Sequence, residues 1–448
     1  MNDLVLKNCK FVDNSDNNYI GIKNGKIAEI SKQPLKGDNE VDVKNNFVLP
    51  GLIDPHVHFR DPGLTYKESL KTGSLAAANG GFTTILDMPN TIPPTDTAKA
   101  FKEKKKIGEN KSIVNFGLHA GVKDLDNLRK IAKLNPASFK IFMDLFSDSE
   151  IEDMFKNISI INKEYGSKSK LQHIITLHCE NKEIIEENTK RLKRLGCTRG
   201  NTAIDYSYAR PSESELVSVG YATFLAEKYK LSLHICHLST KKSLDYLKSL
   251  KLALDKFDIT TEITPHHLLL NNTAFDKFGT MLKTNPPLRP EGENLTISNL
   301  KNINMIGTDH APHSLEEKQK GVWDSSPGIP NLETTLPLLL TEVNKGNIDL
   351  KMIPKLMSEN PAHRFNIENK GKIKIDYDAD LVVVDLKKKG KFKLDEFYTK
   401  AEYSPFENCE YKGIATMTIC NGNIIMKENY IEDNFDLNNN NARKYVYD

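Results

Sequence analysis

One tryptophan, six cysteines and almost no excess of either charge mark this 448-residue chain. The cysteines form no C-x-x-C pair and no close, even spacing, which argues against a zinc ribbon or a disulfide framework and for a reducing, cytoplasmic setting. Lys plus Arg total 62 against 60 for Asp plus Glu, a net +2, so no global field recruits nucleic acid or an anionic membrane. No apolar stretch approaches the ~20 residues of a membrane-spanning helix, and the start MNDLVLKNCK lacks a basic-then-apolar signal pattern. Internal repeats are absent. The lysine runs at 104–106 and 387–389 read as solvated faces, and the run Asn438 to Asn441 as part of a frayed tail.

What the chain does contain is ordinary globular material, 38% hydrophobic and 27% charged. Between residues 48 and 365, short apolar runs alternate with longer segments of helical period. The runs are FVLPGLIDPH, FTTILDM, SIVNFGL, FKIFM, HIITLH, LSLHICHL, ITTEIT and INMIGTDH. Such alternation predicts a parallel sheet with crossover helices, and eight units favour a closed (β/α)₈ TIM barrel over an open doubly wound sheet. Thr65-Tyr66-Lys67-Glu68 reads as a capping box opening a helix that closes at Gly80-Gly81, and Ser212 to Lys228 as a second helix with acids in its first turn. Residues 1–47 and 366–430 instead alternate with period two around the turns Asn24-Gly25 and Asn421-Gly422. Neither stretch makes a core alone, so together they are expected to form one small β-sandwich beside a 48–365 barrel, with 431–448 as the tail.

Chemistry concentrates at the predicted C-terminal strand ends, where barrels carry their sites. In GLIDPHVHFRD, His56 and His58 lie at i and i+2 on extended chain and point to one side. His178 ends the fifth strand, His237 the sixth and Asp309 the eighth. A lone histidine at a strand end is more often structural, but four with an aspartate read as metal ligands. Alternation in LHICHL turns only one histidine inward, so His237 is the ligand and His234 is not, and it turns the thiols of Cys179 and Cys236 away from the neighbouring imidazoles. Five ligands exceed a mononuclear catalytic zinc site. Two metals ~3.5–4 Å apart fit better and need an anionic bridge. Lys140, inside the apolar strand SFKIFM, supplies one if its neutral amine takes up CO₂ as a carbamate, with Asp144 as the alternative. Such a pair acidifies bound water and polarises a carbonyl, which implies hydrolysis or its reverse, with Asp309 moving the proton. Arg60 shares the face of His58 and suits a substrate carboxylate. Asn90, Asn285 and His313 lie on neighbouring loops, and Asp54 lies on the His56 face as a supporting group.

The motifs DPHVHFRDPG, DMPNTIPPT, SFKIFM, LHCE, ICHLST, TPHHL, NPPLRP, GTDHAPH and PGIPNLET occur in the order and approximate spacing of the dihydroorotases of the amidohydrolase superfamily, which the chain resembles over nearly its whole length. That resemblance implies zinc-dependent, reversible cyclisation of N-carbamoyl-L-aspartate to L-dihydroorotate in pyrimidine synthesis. It implies that His56 and His58 hold the more buried of two Zn²⁺, that His178 and His237 hold the other, that carboxylated Lys140 bridges them, and that Asp309 is ligand and general acid/base. It further implies that His58, Arg60, Asn90 and His313 hold the substrate, with Asn285 and the main chain at Pro327 and Gly328 as further contacts. His266 and His267 match signature positions without a ligand role. The expected partner is this small substrate, with no nucleic acid or membrane; a homodimer and association with aspartate transcarbamoylase are the candidate protein contacts. The rival readings are an allantoinase or dihydropyrimidinase on the same scaffold and a metal-free scaffold relative.

Overall fold

The computed structural model describes residues 1–13, 16, 18–165, 173–199, 202–253, 258–431 and 444–447, without the side chains of 197–199. Its centre is an eight-stranded parallel barrel. The staves are Leu52–Val57, Phe82–Asp87, Asn115–Leu118 extended by Ala120–Gly121, Phe139–Phe142, Ile175–His178, Leu233–Ile235, Ile259–Ile263 and Met305–Ile306. Each pairs in parallel with the next. Closure comes just past the strand ends, where Val57 bridges His310 and the His58 N–H donates to the His310 carbonyl at 2.8 Å. Nearly every stave residue is buried, because helices cover the outer face and side chains fill the inside. The predicted barrel therefore forms, from all eight expected runs.

Both chain ends build the sandwich. One sheet orders Lys26–Ser31, Tyr19–Lys23, Asn2–Lys7 and Gly37–Asp42; the other orders Tyr430–Ile431, Asn423–Lys427, Glu410–Cys420, Leu381–Lys391 and Phe47–Pro50. Leu4, Leu6, Ile20 and Ile22 from the first meet Leu381, Val383, Met417 and Ile419 from the second in one apolar core. Among the described residues, no helix is long and apolar enough to cross a membrane.

Three local expectations need correction. The helix after the first stave spans Leu70–Asn79 and is capped by Ser69 with Thr72, not by Thr65. Glu68 is drawn off to a tertiary role, its buried carboxylate accepting from Thr399 Oγ1 and the Lys400 N–H. The far C-terminus is not frayed where it is described. Lys444 and Val446 exchange main-chain hydrogen bonds with Phe116 of the third stave, and Tyr445 packs edge-on against Phe101 and Phe116. Two tyrosines in four residues carry enough apolar surface to dock the end of the chain, whatever the asparagines before it do. Lys104, finally, is wholly buried, as described below. The predicted helix from Ser212 is present as Ser212–Tyr229.

Candidate metal centre and substrate mouth

His56 and His58 leave the first stave on the same side. His56 Nε2 and His58 Nε2 lie 3.2 Å apart, and Asp309 Oδ1 lies 3.3 Å from the former and 3.0 Å from the latter. The opposite ring nitrogens settle the tautomers. His56 Nδ1 donates to Glu262 Oε1 at 2.8 Å and His58 Nδ1 to Asn90 Oδ1 at 2.7 Å. With both Nδ1 atoms engaged in this way, the two Nε2 atoms and a carboxylate oxygen converge on one point, a donor set suited to a cation. Burial pushes the His58 imidazole down to about 4 against the pull of Asp309, so the ring is neutral and fit to be a ligand at pH 7.

A second pair stands beside this one. His178 Nδ1 is 3.0 Å from His237 Nε2, and the His237 and His56 ring centroids are 5.3 Å apart. His178 Nε2 donates to Glu180 Oε2 at 2.9 Å, which leaves its Nδ1 lone pair directed toward His237. Among the described residues, the groups able to hold a metal are His56, His237 and Asp309; His56, Cys236 and Glu262; and Asp144, His178 and Glu180. Donors of imidazole nitrogen and carboxylate oxygen suit zinc and its divalent neighbours.

Lys140 projects inward, buried, with Nζ 3.1 Å from Cys236 Sγ. Asp144, the alternative bridge, is paired instead with Arg210 at 2.7 Å and lies 3.7 Å from His178 Nε2, the side away from His237. Strand alternation misplaced two residues here. His234 also faces the interior, where its Nε2 meets Glu262 Oε2 at 3.3 Å, and Cys236 faces the site rather than away from it. The cause is backbone: the stave ends at Ile235 and His237 has φ +33°, so alternation no longer holds. Arg60 and Asp309 are left-handed as well, at +62° and +48°. Non-glycine residues in that region are uncommon, and here three sit at stave ends around one centre.

The mouth gathers the other candidates into two sets. Arg60 is buried, with Nη2 3.2 Å from His313 Nε2 and with Nε lacking a partner. His313 Nε2 donates to the Pro327 carbonyl at 2.9 Å, and Nδ1 accepts from Lys67 Nζ at 3.2 Å. Burial, with Arg60 and Lys67 alongside, keeps the His313 ring neutral. Opposite, the Tyr206 hydroxyl donates to Asn285 Oδ1. Gly328 is less available than expected, because its N–H donates to the Lys283 carbonyl and its carbonyl accepts from Lys318 and Tyr403. Its φ of +139°, with a Cβ that would fall 2.3 Å from the Ala311 carbonyl, admits only glycine.

The supporting carboxylates were largely missed. Glu262 binds His56 and His234 and also accepts from the His237 N–H at 3.2 Å. Burial alone would raise its pKa, but His56 and His234 hold it well below the usual carboxylate range. A charged residue inside the apolar run ITTEIT carried the same signal that singled out Lys140. Gly307 leaves room for it, since a Cβ there would lie 2.5 Å from Glu262 Cδ. Asp54 accepts from the His56 N–H and from Thr308, and burial pushes its carboxyl up to about 7. Lys104 pairs with Asp87 at 2.8 Å, and Asp87 in turn accepts from the Phe59 N–H between His58 and Arg60. His266 and His267 bond Thr264, Asn331 and the Pro286 carbonyl.

The amidohydrolase family matches residues 47–425. The dihydroorotase of Methanosphaera stadtmanae is 50% identical over 433 residues, covering 96% of this chain and 97% of the relative. That of Methanothermobacter thermautotrophicus is 47% identical over 428 residues, covering 96% and 95%. Among solved structures, the L-hydantoinase (dihydropyrimidinase) of Arthrobacter aurescens superposes with a TM-score of 0.88 at 30% identity, over 96% of this chain and 98% of that one. The dihydropyrimidinase of Brevibacillus agri gives 0.87 at 24% identity over 99% and 98%, a likeness of fold. With half its residues shared along almost its full length, this chain belongs to the amidohydrolase family and, within it, to the dihydroorotases.

Proposed function

We propose that the chain catalyses the reversible cyclisation of N-carbamoyl-L-aspartate to L-dihydroorotate, as a zinc-dependent enzyme of pyrimidine synthesis. The family is metal-dependent, and the donor set fits: His56, His58 and Asp309 would hold one Zn²⁺, His178 and His237 the other, and Lys140 as a carbamate would bridge them. When bound, such a pair supplies the charge that makes water nucleophilic near pH 7 and polarises the reacting carbonyl.

The rest is the work of side chains. Asp309, with Oδ1 held between two imidazoles, takes a proton in the hydrolytic direction and returns it to the departing ring nitrogen. Arg60, Asn90 and His313 hold the carboxylate that does not react. The Asn90 carbonyl is engaged by His58, so Asn90 contributes through its amide N–H₂. Asn285, steadied by Tyr206, meets the ring from the other side, and the main chain at Pro327 and Gly328 closes the pocket. The pairing of Asp144 with Arg210 supports Lys140 as the bridge. A cytoplasmic enzyme suits the free thiols Cys9, Cys179, Cys236, Cys409 and Cys420.

The observation that carries the reading is the convergence of His56 Nε2, His58 Nε2 and Asp309 Oδ1 within 3.3 Å of one another beside a buried arginine with an unpartnered Nε. Hydantoinases and dihydropyrimidinases share the fold, but rings without a carboxylate would leave the buried Arg60 Nε without a partner. The test is to incubate metal-loaded protein separately with dihydroorotate, dihydrouracil, hydantoin and allantoin and follow ring opening by ultraviolet absorbance. Turnover of dihydroorotate alone is expected. Turnover of another ring with none of dihydroorotate overturns the reading.

A further inference from the structure

Lys318 lies at the end of the short helix Leu315–Lys318 and has no exposed surface. Its Nζ is 3.0 Å from each of three carbonyls, those of Lys283, Ser326 and Gly328. The first belongs to the loop after the seventh stave, two residues before Asn285; the others flank Pro327 on the loop after the eighth. Burial and the nearby Lys283 lower the affinity of this amine for its proton. Three converging acceptors nevertheless call for the ammonium form, which has three N–H donors where the neutral amine has two.

The join is reciprocal. Lys283, on the seventh-stave loop, sends its own Nζ to the Val322 carbonyl at 2.8 Å and the Trp323 carbonyl at 3.4 Å, both on the eighth-stave loop. The same amine sits 4.2 Å from the centroid of the Tyr206 ring, whose hydroxyl binds Asn285. The Gly328 N–H completes the circuit by donating to the Lys283 carbonyl at 2.8 Å, and Tyr403 donates to the Gly328 carbonyl at 3.0 Å. Two of the five carbonyls have a further donor, the Gly328 N–H at Lys283 and the Tyr403 hydroxyl at Gly328, and the lysines supply the hydrogen bonds to the main chains of Val322, Trp323 and Ser326.

We propose that Lys318, with Lys283 as its counterpart, is a positioning residue that locks the eighth-stave loop onto the seventh-stave loop and so sets the spacing of Asn285 from His313 and Pro327 across the substrate mouth. Neither lysine touches the metal ligands, so the clamp acts on substrate binding rather than on the hydrolytic centre. The inference rests on the substrate assignment proposed above, because those residues matter only if they hold the ring.

The test compares wild type, Lys318→Met and Lys318→Ala as metal-loaded enzymes. Misplaced contacts of this kind should raise KM for dihydroorotate at least about tenfold, with a smaller fall in kcat and unchanged metal content. Propylammonium should restore KM in Lys318→Ala, and propanol, of similar shape but uncharged, should not. Tyr403→Phe, which removes one donor from the same carbonyl and leaves no large hole, should shift KM in the same direction by less. Hydrogen exchange of residues 283–285 and 322–328 should quicken in Lys318→Met without general loosening. That readout needs no substrate, so it distinguishes failure of the clamp from failure of the functional reading. Wild-type KM in Lys318→Met and Tyr403→Phe, or exchange that rises equally throughout the barrel, overturns the proposal.

Discussion

Replacing Glu262 by Gln is the most direct probe of how the barrel prepares its ligands. The substitution keeps shape and volume and removes one buried charge. Oε1 of the native carboxylate accepts from His56 Nδ1 at 2.8 Å and the His237 N–H at 3.2 Å, and Oε2 meets His234 Nε2 at 3.3 Å. An amide has only one acceptor oxygen. Placed with its N–H₂ toward His56, it would oppose two donors and force the His56 proton onto Nε2, where the ligand lone pair is needed. The amide therefore turns its N–H₂ toward His234, whose other nitrogen contacts a Thr260 hydroxyl at 3.0 Å able to reverse direction. What is lost is then the charge that would make His56 a stronger donor to the proposed zinc. Losses of such outer partners weaken metal binding about 10- to 100-fold, or roughly 1.4–2.8 kcal/mol. Equilibrium dialysis against zinc buffered by a chelator measures this directly, and Glu262→Ala, which leaves three donors unmet, should be worse. Zinc affinity within about twofold of wild type in Glu262→Gln would refute the role assigned to the carboxylate.

Arg60→Met should raise KM for dihydroorotate by about 10- to 100-fold, the worth of a lost charge-assisted bidentate contact, with zinc content unchanged; an unaltered KM would remove the arginine from substrate binding. Lys140→Ala should lose metal and regain part of it on addition of short carboxylic acids, whereas full activity without additive would transfer the bridge to Asp144. Burial raises the Glu333 carboxyl from 4.5 to about 8, an effect that hydrogen bonds from Asn79, Tyr398 and Thr399 only partly offset. A raised acid binds its proton more tightly folded than unfolded, so its contribution is full below 4.5 and is lost as pH climbs toward 8. Urea midpoints of wild type should accordingly fall relative to Glu333→Gln across that window, and parallel curves would contradict the assignment. Tyr445→Ala should destabilise the protein by about 3 kcal/mol, as aromatic truncations in packed sites do, and leave zinc affinity untouched.

The barrel was readable because its staves are buried on both faces and so spell largely apolar runs, with histidines and an aspartate gathered where several of the runs reach the mouth. His56, His58, His178, His237 and Asp309 could be picked out for that reason. Alternation failed one residue past the sixth stave, where the left-handed turn at His237 brought Cys236 inward. It also gave no hint that Lys104, in a run of three lysines, would be buried against Asp87. Partners such as Arg210 and Glu180, or Lys318 and Lys283, are joined only by folding, and no local pattern announces them. Glu262 stands apart, since a charge in an apolar strand was visible and was weighed for Lys140 alone.

Phe47–Pro50 finds its sheet partner in Leu381–Val384, so the pairing spans about 330 residues. During synthesis at roughly 5–20 residues per second, the amino-terminal strands therefore wait tens of seconds for the segment that will cover them. Until then Leu4, Leu6, Ile20 and Ile22 have no opposing sheet. A ribosome-bound nascent chain halted before residue 381 would hold most of a barrel and an uncovered greasy ribbon, the species on which chaperones would be expected to act.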